Sequence, residues 1–566
     1  MRVSDHDPAP HMQSRINYVR TLPIAALLLL FATPLFATRH ERVVDSWRPL
    51  NYDVAITLND ELTAITNART KITIQILKEN LAVVDLDFGE MVVDAVSVDG
   101  GAAKFERSPG SLNVQLPKAA NKGSRAVIAV EYHGKPKDGL ILTADKDGKP
   151  SATGDNWPDH VHHWIPCLDH PSAKATVTFT ITAPAKDLVV ANGRFDRVRD
   201  NSQATRTWTY AEAVPIPAYC MVIAVGEYAR AEPTTPAIAP LSYYVPQSDA
   251  KFAPQGFAPA APSLKFFSET IAPYPYEKLA LIVGATRFGG MENSSAIIFA
   301  KTLFDSKSAP RMSRAFNIPE RLEDIVAHEI AHQWFGDSVT ESTWSDLWLS
   351  EGFATYFAGL VEQKYDGEDA FHAYMKRAAD TYFAYEKTTR TPIHDTETED
   401  LMKLLNANNY QKGAWVLHML RSQLGDDAFF RGLRDYYSAH KNANASSDDL
   451  RAALEKASGH DLKQFFASWV YGTGHPQYQM SWRWISTTKT LKLTLRQTQQ
   501  EGFFPNVVPL HLATADGTLR LAIKPTGKEA VADFHLDQQP TTVLIDPDYT
   551  ILKEIINQPA VKSRVP

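Results

Sequence analysis

Cysteine is nearly absent: Cys167 and Cys220 are the only two in 566 residues, too few for a disulfide framework. Cys220 sits in the apolar run Ala218-Tyr219-Cys220-Met221-Val222-Ile223-Ala224-Val225, where a small buried hydrophobe is its ordinary role. Pairing with Cys167 would need export and a proximity that position along the chain does not report. An excess of either charge is also missing. With 58 Lys and Arg against 65 Asp and Glu, the net charge of −7 gives no electrostatic reason to expect nucleic acid or an anionic membrane as partner. Internal repeats and low-complexity tracts are absent as well. What is present, 44% hydrophobic and 10% aromatic residues, describes globular cores over a length that suits about three or four domains.

A comfortable membrane span is lacking too. The apolar run Leu22 to Phe36, LPIAALLLLFATPLF, is short and interrupted by proline. Preceded by Arg15 and Arg20, it reads as a signal peptide over residues 1–37, cleaved near Ala37, although Leu35 is not the small residue a peptidase prefers there. Met12 is a candidate true start. Cleavage would leave a periplasmic or secreted chain with no stable membrane span, whereas an uncleaved peptide would serve as a membrane anchor.

From 41 to 245 the chain alternates in period two over short runs: Tyr52 to Leu58, Thr70 to Leu77, Arg125 to Tyr132, Ala175 to Ile181 and Thr205 to Tyr210. Asp99-Gly100-Gly101 and Asn192-Gly193 are turn signals between them, and the stretch reads as an N-terminal all-β domain. From 246 to 475 the period lengthens to that of helices, including Ser263 to Ile271, Gly352 to Tyr365, Asp369 to Ala384, Gly413 to Gly425 and Ser447 to Ser458. Ser446 and the acidic pair after it suit a helix start. Gly472-Thr473-Gly474-His475-Pro476 breaks the pattern, and 476–560 returns to strands, a β-sandwich with Asp516-Gly517 as a hairpin turn.

The chemistry concentrates in Arg321 to Glu351. His328-Glu329 and His332 form a His-Glu-x-x-His run, with Leu322, Ile325, Val326, Ile330 and Trp334 at helical spacing around it. Positions i and i+4 share a helix face, so both imidazoles can reach one ion while Glu329 reaches a water beside it. A catalytic zinc site takes three protein ligands and leaves one position free, and Glu351, separated from His332 by eighteen residues, is the natural third. Upstream, Gly289-Gly290-Met291-Glu292-Asn293 offers glycines that admit a close backbone and an acid that could receive a cation. Tyr410, in Tyr410-Gln411-Lys412-Gly413-Ala414, is a candidate donor to an oxyanion.

Together these three motifs, in order and spacing, resemble the zinc aminopeptidases typified by aminopeptidase N and leukotriene hydrolase, the gluzincin metallopeptidases. Pro166-Cys167-Leu168-Asp169-His170-Pro171 and Val225-Gly226-Glu227-Tyr228 are similar to family stretches in the β domain, so the likeness covers most of 45–476. The resemblance implies a thermolysin-like, mainly α catalytic domain holding one zinc ion per chain on His328, His332 and Glu351. It also implies Glu329 as the general base, Tyr410 as the oxyanion donor and residues 289–293 as the substrate-binding strip. Glu292 would bind the free α-ammonium, so the expected partners are peptides with a free N-terminus. Asp346 is a possible support for a ligating His.

The sequence departs from the family at three places. Trp157 occupies the position of a second amine-binding acid or amide, where Asp155 or Asn156 could substitute. Ala358 replaces an acid seven places after the third ligand. No large helical domain follows the sandwich, which gives the expectation of a more open cleft. His160-Val161-His162-His163 reads as a loop lining the substrate cleft, with a second metal the lesser reading. Side-chain preference, drawn from the Asp155 region, Met291 and Leu405, stays open, as does oligomeric state. A related zinc hydrolase of non-peptide or endopeptidase activity is the alternative function. A binding protein on an inactive scaffold is disfavoured because every ligand and the base are present.

Overall fold

The computed structural model describes residues 39–201, 204–305 and 312–556. The signal-peptide reading of 1–37 lies outside them. Among the described residues no helix is long and apolar enough to cross a membrane.

Alternation along the N-terminal half is realised as an eight-stranded sheet. Trp47–Leu58 pairs antiparallel with Ile65–Ile76 and parallel with Lys174–Pro184, which pairs in turn with Thr205–Pro217. Tyr52, Val54, Ile56 and Leu58 are buried in period two, the pattern of a strand with one face on a core. Pro150–Gly154, Leu188–Ala191 and Ile223–Gly226 belong to a smaller four-stranded sheet. Between 41 and 228 the described residues hold no α-helix, only 3-10 turns at Val161–His163 and Ala218–Cys220. Cys167 and Cys220 are both buried and unpaired.

The change at 245/246 expected from periodicity falls inside a sheet. Ala229–Ala231 and Leu241–Val245, read with the N-terminal β domain, instead join Leu279–Gly284, Ala296–Ala300 and Gly290–Met291. Leu241–Val245 runs parallel to Leu279–Gly284, and a parallel pair needs a crossover, which the helix Ala260–Thr270 supplies. Leu279–Gly284 is buried at every position, as a central parallel strand should be.

Helices follow. The helix Glu320–His332 opens with Glu320 and Glu323 at its positive end and buries Leu322, Val326 and Ile330. Trp348–Tyr365 is buried without a break from Trp348 to Glu362, the mark of a helix enclosed on all sides. Ser446 caps Ser447–Ser458 in a reciprocal capping box with Asp449. Beyond 476, one sheet holds Gln477–Ile485, Thr490–Gln497, Glu529–His535 and Glu554–Ile555, and a second holds Val508–Thr514, Gly517–Ile523 and Thr542–Ile545. Leu493, Leu495, Leu510 and Leu512 from the two sheets share one core with the helices. Glu529–His535, an edge strand of the first sheet, is exposed at every second residue.

Candidate active site

A cleft of about 440 Å³ runs along the exposed edge of Glu320–His332. One helical turn sets His328 above His332, and their Nε2 atoms lie 3.0 Å apart. Glu351 enters from the first turn of Trp348–Tyr365, its Oε2 3.2 Å from His328 Nε2 and 3.4 Å from His332 Nε2. Three ligand atoms thus converge on one point, as the sequence spacing predicts. His332 Nδ1 faces the Phe335 carbonyl at 3.2 Å and Ser350 Oγ at 3.0 Å. A carbonyl only accepts, so in the neutral ring, the form that binds a metal, the proton belongs on Nδ1 and the Nε2 lone pair points at the shared centre.

Electrostatics agree with a cation there. Burial pushes His332 down, but the carboxylates of Glu292 and Glu351 outweigh it and raise the imidazole to about 10. Burial, with Glu292 and Glu351 nearby, holds Glu329 well above the usual carboxylate range. Three buried carboxylates around two imidazoles leave negative charge in excess, and two His with one Glu is a donor set for zinc.

The strip 289–292 lies along the helix. Gly290 pairs with Phe299 and Met291 with Ile298, which presses the strand onto Glu329. A Cβ on Gly290 would stand 2.3 Å from Glu329 Oε1, so glycine here makes room for the candidate base as much as for a substrate. Glu292 follows, its carboxylate within 4.8 Å of the polar atoms of Glu329 and His332. Gln333, which sequence reasoning passed over, fixes this place: Nε2 donates to the Glu292 carbonyl at 2.9 Å and to Asp337 Oδ2 at 2.8 Å, while Oε1 accepts from Ser295 N at 2.8 Å. Its position next to His332 was the only sequence signal. Asn293, read as part of the substrate strip, is instead fully buried behind the cleft and donates toward the Tyr219 carbonyl.

Tyr410 belongs to a π-helical turn, Asn408–Lys412, of the kind that often marks a functional site. Gly352 and Gly413 let this turn lie against the Glu351 helix: a Cβ on Gly352 would meet Gly413 Cα at 2.9 Å. The Tyr410 ring consequently stacks parallel to His328, with centroids 5.9 Å apart. Burial and the Glu351 carboxylate keep its hydroxyl protonated.

Three further expectations turn out differently. Asp346 does not support a ligating His; it accepts from Ser447 Oγ at 2.6 Å and pairs with His394 at 2.8 Å. Asp155 and Asn156 do not enter the cleft. Asp155 is consumed by Thr286 and Arg287, and Asn156 by the Met221 carbonyl and Trp164. Trp157 itself lines the cleft, edge-on to Phe288 and Trp344. Of the loop that follows, His160 pairs with Asp138 and His162 with Asp169, so the loop is tied to the β region and does not line the cleft.

Comparison with known proteins agrees with this geometry. Residues 48–220 match the Peptidase M1 N-terminal domain and residues 257–469 the Peptidase family M1 domain. The chain belongs to peptidase family M1. A crystal structure of an M1 zinc metallopeptidase from Deinococcus radiodurans superposes with a TM-score of 0.63 and 25% identity, over 76% of this chain and 95% of that one. A protein named "Probable aminopeptidase 2" from Sulfurisphaera tokodaii is 30% identical over 410 residues, 70% of this chain and 50% of its own length. A leucyl aminopeptidase from Saccharolobus solfataricus is 26% identical over 489 residues, 83% of this chain and 58% of its own. The chain therefore spans about half the length of the curated relatives it matches.

Proposed function

We propose that the protein is a zinc-dependent aminopeptidase that hydrolyses the N-terminal peptide bond of peptides. The observation that carries this reading is Glu292, a buried carboxylate beside Glu329 and His332 at one end of the cleft, where a substrate α-ammonium would replace the missing positive charge. An acetylated or internal amide brings no such charge, which opposes endopeptidase action. The names of the relatives support the same activity.

His328, His332 and Glu351 would hold one zinc ion, which supplies Lewis-acid polarisation of the scissile carbonyl and acidifies water. Glu329 takes the proton of the attacking water and delivers it to the leaving amine. The Tyr410 hydroxyl donates to the developing oxyanion. Met291, Leu405 and Trp157 form an apolar wall for the first side chain, and Gly289 and Gly290 admit the substrate backbone.

Further parts of the reading are proposals of the same kind. The 246–475 region, together with the strands Ala229–Ala231 and Leu241–Val245 that its sheet takes in, is a thermolysin-like catalytic domain, and the two sheets beyond 476 form a β-sandwich. Residues 1–37 act as a signal peptide that delivers the mature enzyme to the periplasm or the medium. The test is hydrolysis of a panel of aminoacyl-amide fluorogenic substrates by the protein and its Glu329→Gln variant, with zinc content measured on both. Activity that vanishes in the variant while zinc stays bound is expected. Cleavage that survives acetylation of the substrate amine would overturn the assignment.

A further inference from the structure

The end of the cleft opposite Glu292 is also acidic, and the proposed function makes no use of it. Asp324 lies one turn before His328 on the same helix, and with Ile325, Thr355 and Tyr374 it lines that end. Eight positions separate it from His332, about 12 Å along the helix axis. Gly289 faces Ile325, Gly290 faces Glu329 and Glu292 faces His332, so the strip and the helix run side by side and give the cleft a direction. With an α-ammonium held at Glu292 and the scissile carbonyl over His328 and Glu329, the chain on the leaving-group side passes Ile325 toward Asp324.

This wall has polar groups left over. Asp324 Oδ1 and Thr355 Oγ1 are shielded from solvent without a hydrogen-bond partner, and Thr355 is only 6% exposed. Behind them Glu362 lies against Asp324, and Arg377 pairs with Glu362 at 3.2 Å and with Glu320 at 3.3 Å. The guanidinium of Arg377, which also lies over the Tyr374 ring 5.5 Å from its centroid, is shared among these three carboxylates. Burial raises both Asp324 and Glu362 above the usual carboxylate range, because the cluster holds more acid than its one cation balances. A buried carboxylate of this kind is stabilised by an incoming cation and destabilised further by an incoming anion. The Tyr374 ring, anchored by its hydroxyl to the Thr355 carbonyl at 2.7 Å, gives the stem of a long side chain an apolar surface.

We infer that Asp324 makes the enzyme select peptides whose second residue is basic, with the lysine or arginine head group seated between Asp324, Thr355 and Tyr374. This rests on the aminopeptidase reading, which sets the direction of the chain.

The experiment compares release of leucine from Leu-Lys-Ala and Leu-Glu-Ala by the full-length zinc enzyme, with kcat/KM for each, in the parent, Asp324→Asn and Asp324→Lys. The parent is expected to favour the lysine peptide tenfold or more, Asp324→Asn to lose most of that ratio and Asp324→Lys to invert it. Calorimetric binding of the two peptides to the Glu329→Gln enzyme should rank them the same way without turnover. Equal kcat/KM for both peptides in the parent, or a ratio that persists in a folded Asp324→Asn enzyme, overturns the inference while leaving the aminopeptidase reading intact. Release of leucine from neither peptide overturns the aminopeptidase reading and this one with it.

Discussion

The helical region and the N-terminal β region meet at the cleft but contribute to it unequally. Every ionisable group that faces the metal centre comes from residues 292–410, on helices or on the strip pressed against them. From the N-terminal β region, among the described residues, only Trp157, in the turn after Pro150–Gly154, lines the cleft. That region is instead fastened to its neighbour by buried polar contacts. Arg39 donates to the carbonyls of Asp395 and Thr398, Glu41 accepts from the Trp344 amide, and Asn192 donates to the Ser294 carbonyl. The difference follows from rigidity. Metal ligands and a base must be held to a fraction of an ångström, which enclosed helices do well, whereas a wall that excludes water needs only shape.

Substitutions should separate chemistry from clamp, and the largest losses belong to the helical side. Glu329→Gln removes the base and is expected to lower kcat by about 10²- to 10⁴-fold at unchanged zinc content, measured by steady-state kinetics beside metal analysis. Tyr410→Phe should cost about 10²- to 10³-fold in kcat with little change in KM, as for loss of one oxyanion donor. Glu292→Gln deletes a charged hydrogen bond of about 1.5–3 kcal/mol, roughly 10- to 100-fold in kcat/KM for free-amine substrates. A loss confined to the N-terminal ammonium would show as a narrowed gap between free and acetylated peptides.

On the clamp side the expected effect is on stability. Glu41 bonds Arg39 at 2.5 Å, His170 at 3.1 Å and the Trp344 amide at 3.2 Å. Burial raises its carboxyl, but His170 and Arg39 outweigh burial and hold it below its ordinary value of 4.5. A depressed acid stabilises the fold above its unfolded pKa, so this contribution is complete above about pH 4.5 and is lost as pH falls through the lower, folded value. Glu41→Gln should cost about 1–3 kcal/mol near neutrality, and the difference from the parent should shrink in acid. Thermal melts across pH 3 to 7 check it. A Glu41→Gln enzyme that lost kcat as severely as Tyr410→Phe would erase the distinction between the two regions.

Much of the centre was legible because its signal is local. One helical turn brings His328 and His332 together, and Glu351 and Tyr410 open helices whose periodicity is visible in the chain. Asn293, Asp155 and Asp346 were misplaced because which way a short polar side chain turns depends on partners far away in sequence: Tyr219, Arg287, His394 and Ser447. The strands Ala229–Ala231 and Leu241–Val245 were read with the wrong sheet for the same reason: Leu241–Val245 alternates like the strands before it, and its parallel partner Leu279–Gly284 lies beyond a helix.

By itself, then, the sequence determined the candidate ligand set, the candidate base and the alternation of β and helical regions, readings of short-range spacing and periodicity. Tertiary structure alone decided that Gly290 must clear Glu329, that Gln333 anchors Glu292 and that Asp324 lines the same cleft as Glu292. Those are meetings of side chains on different elements, or at opposite ends of one, and their distances exist only once the cores have packed.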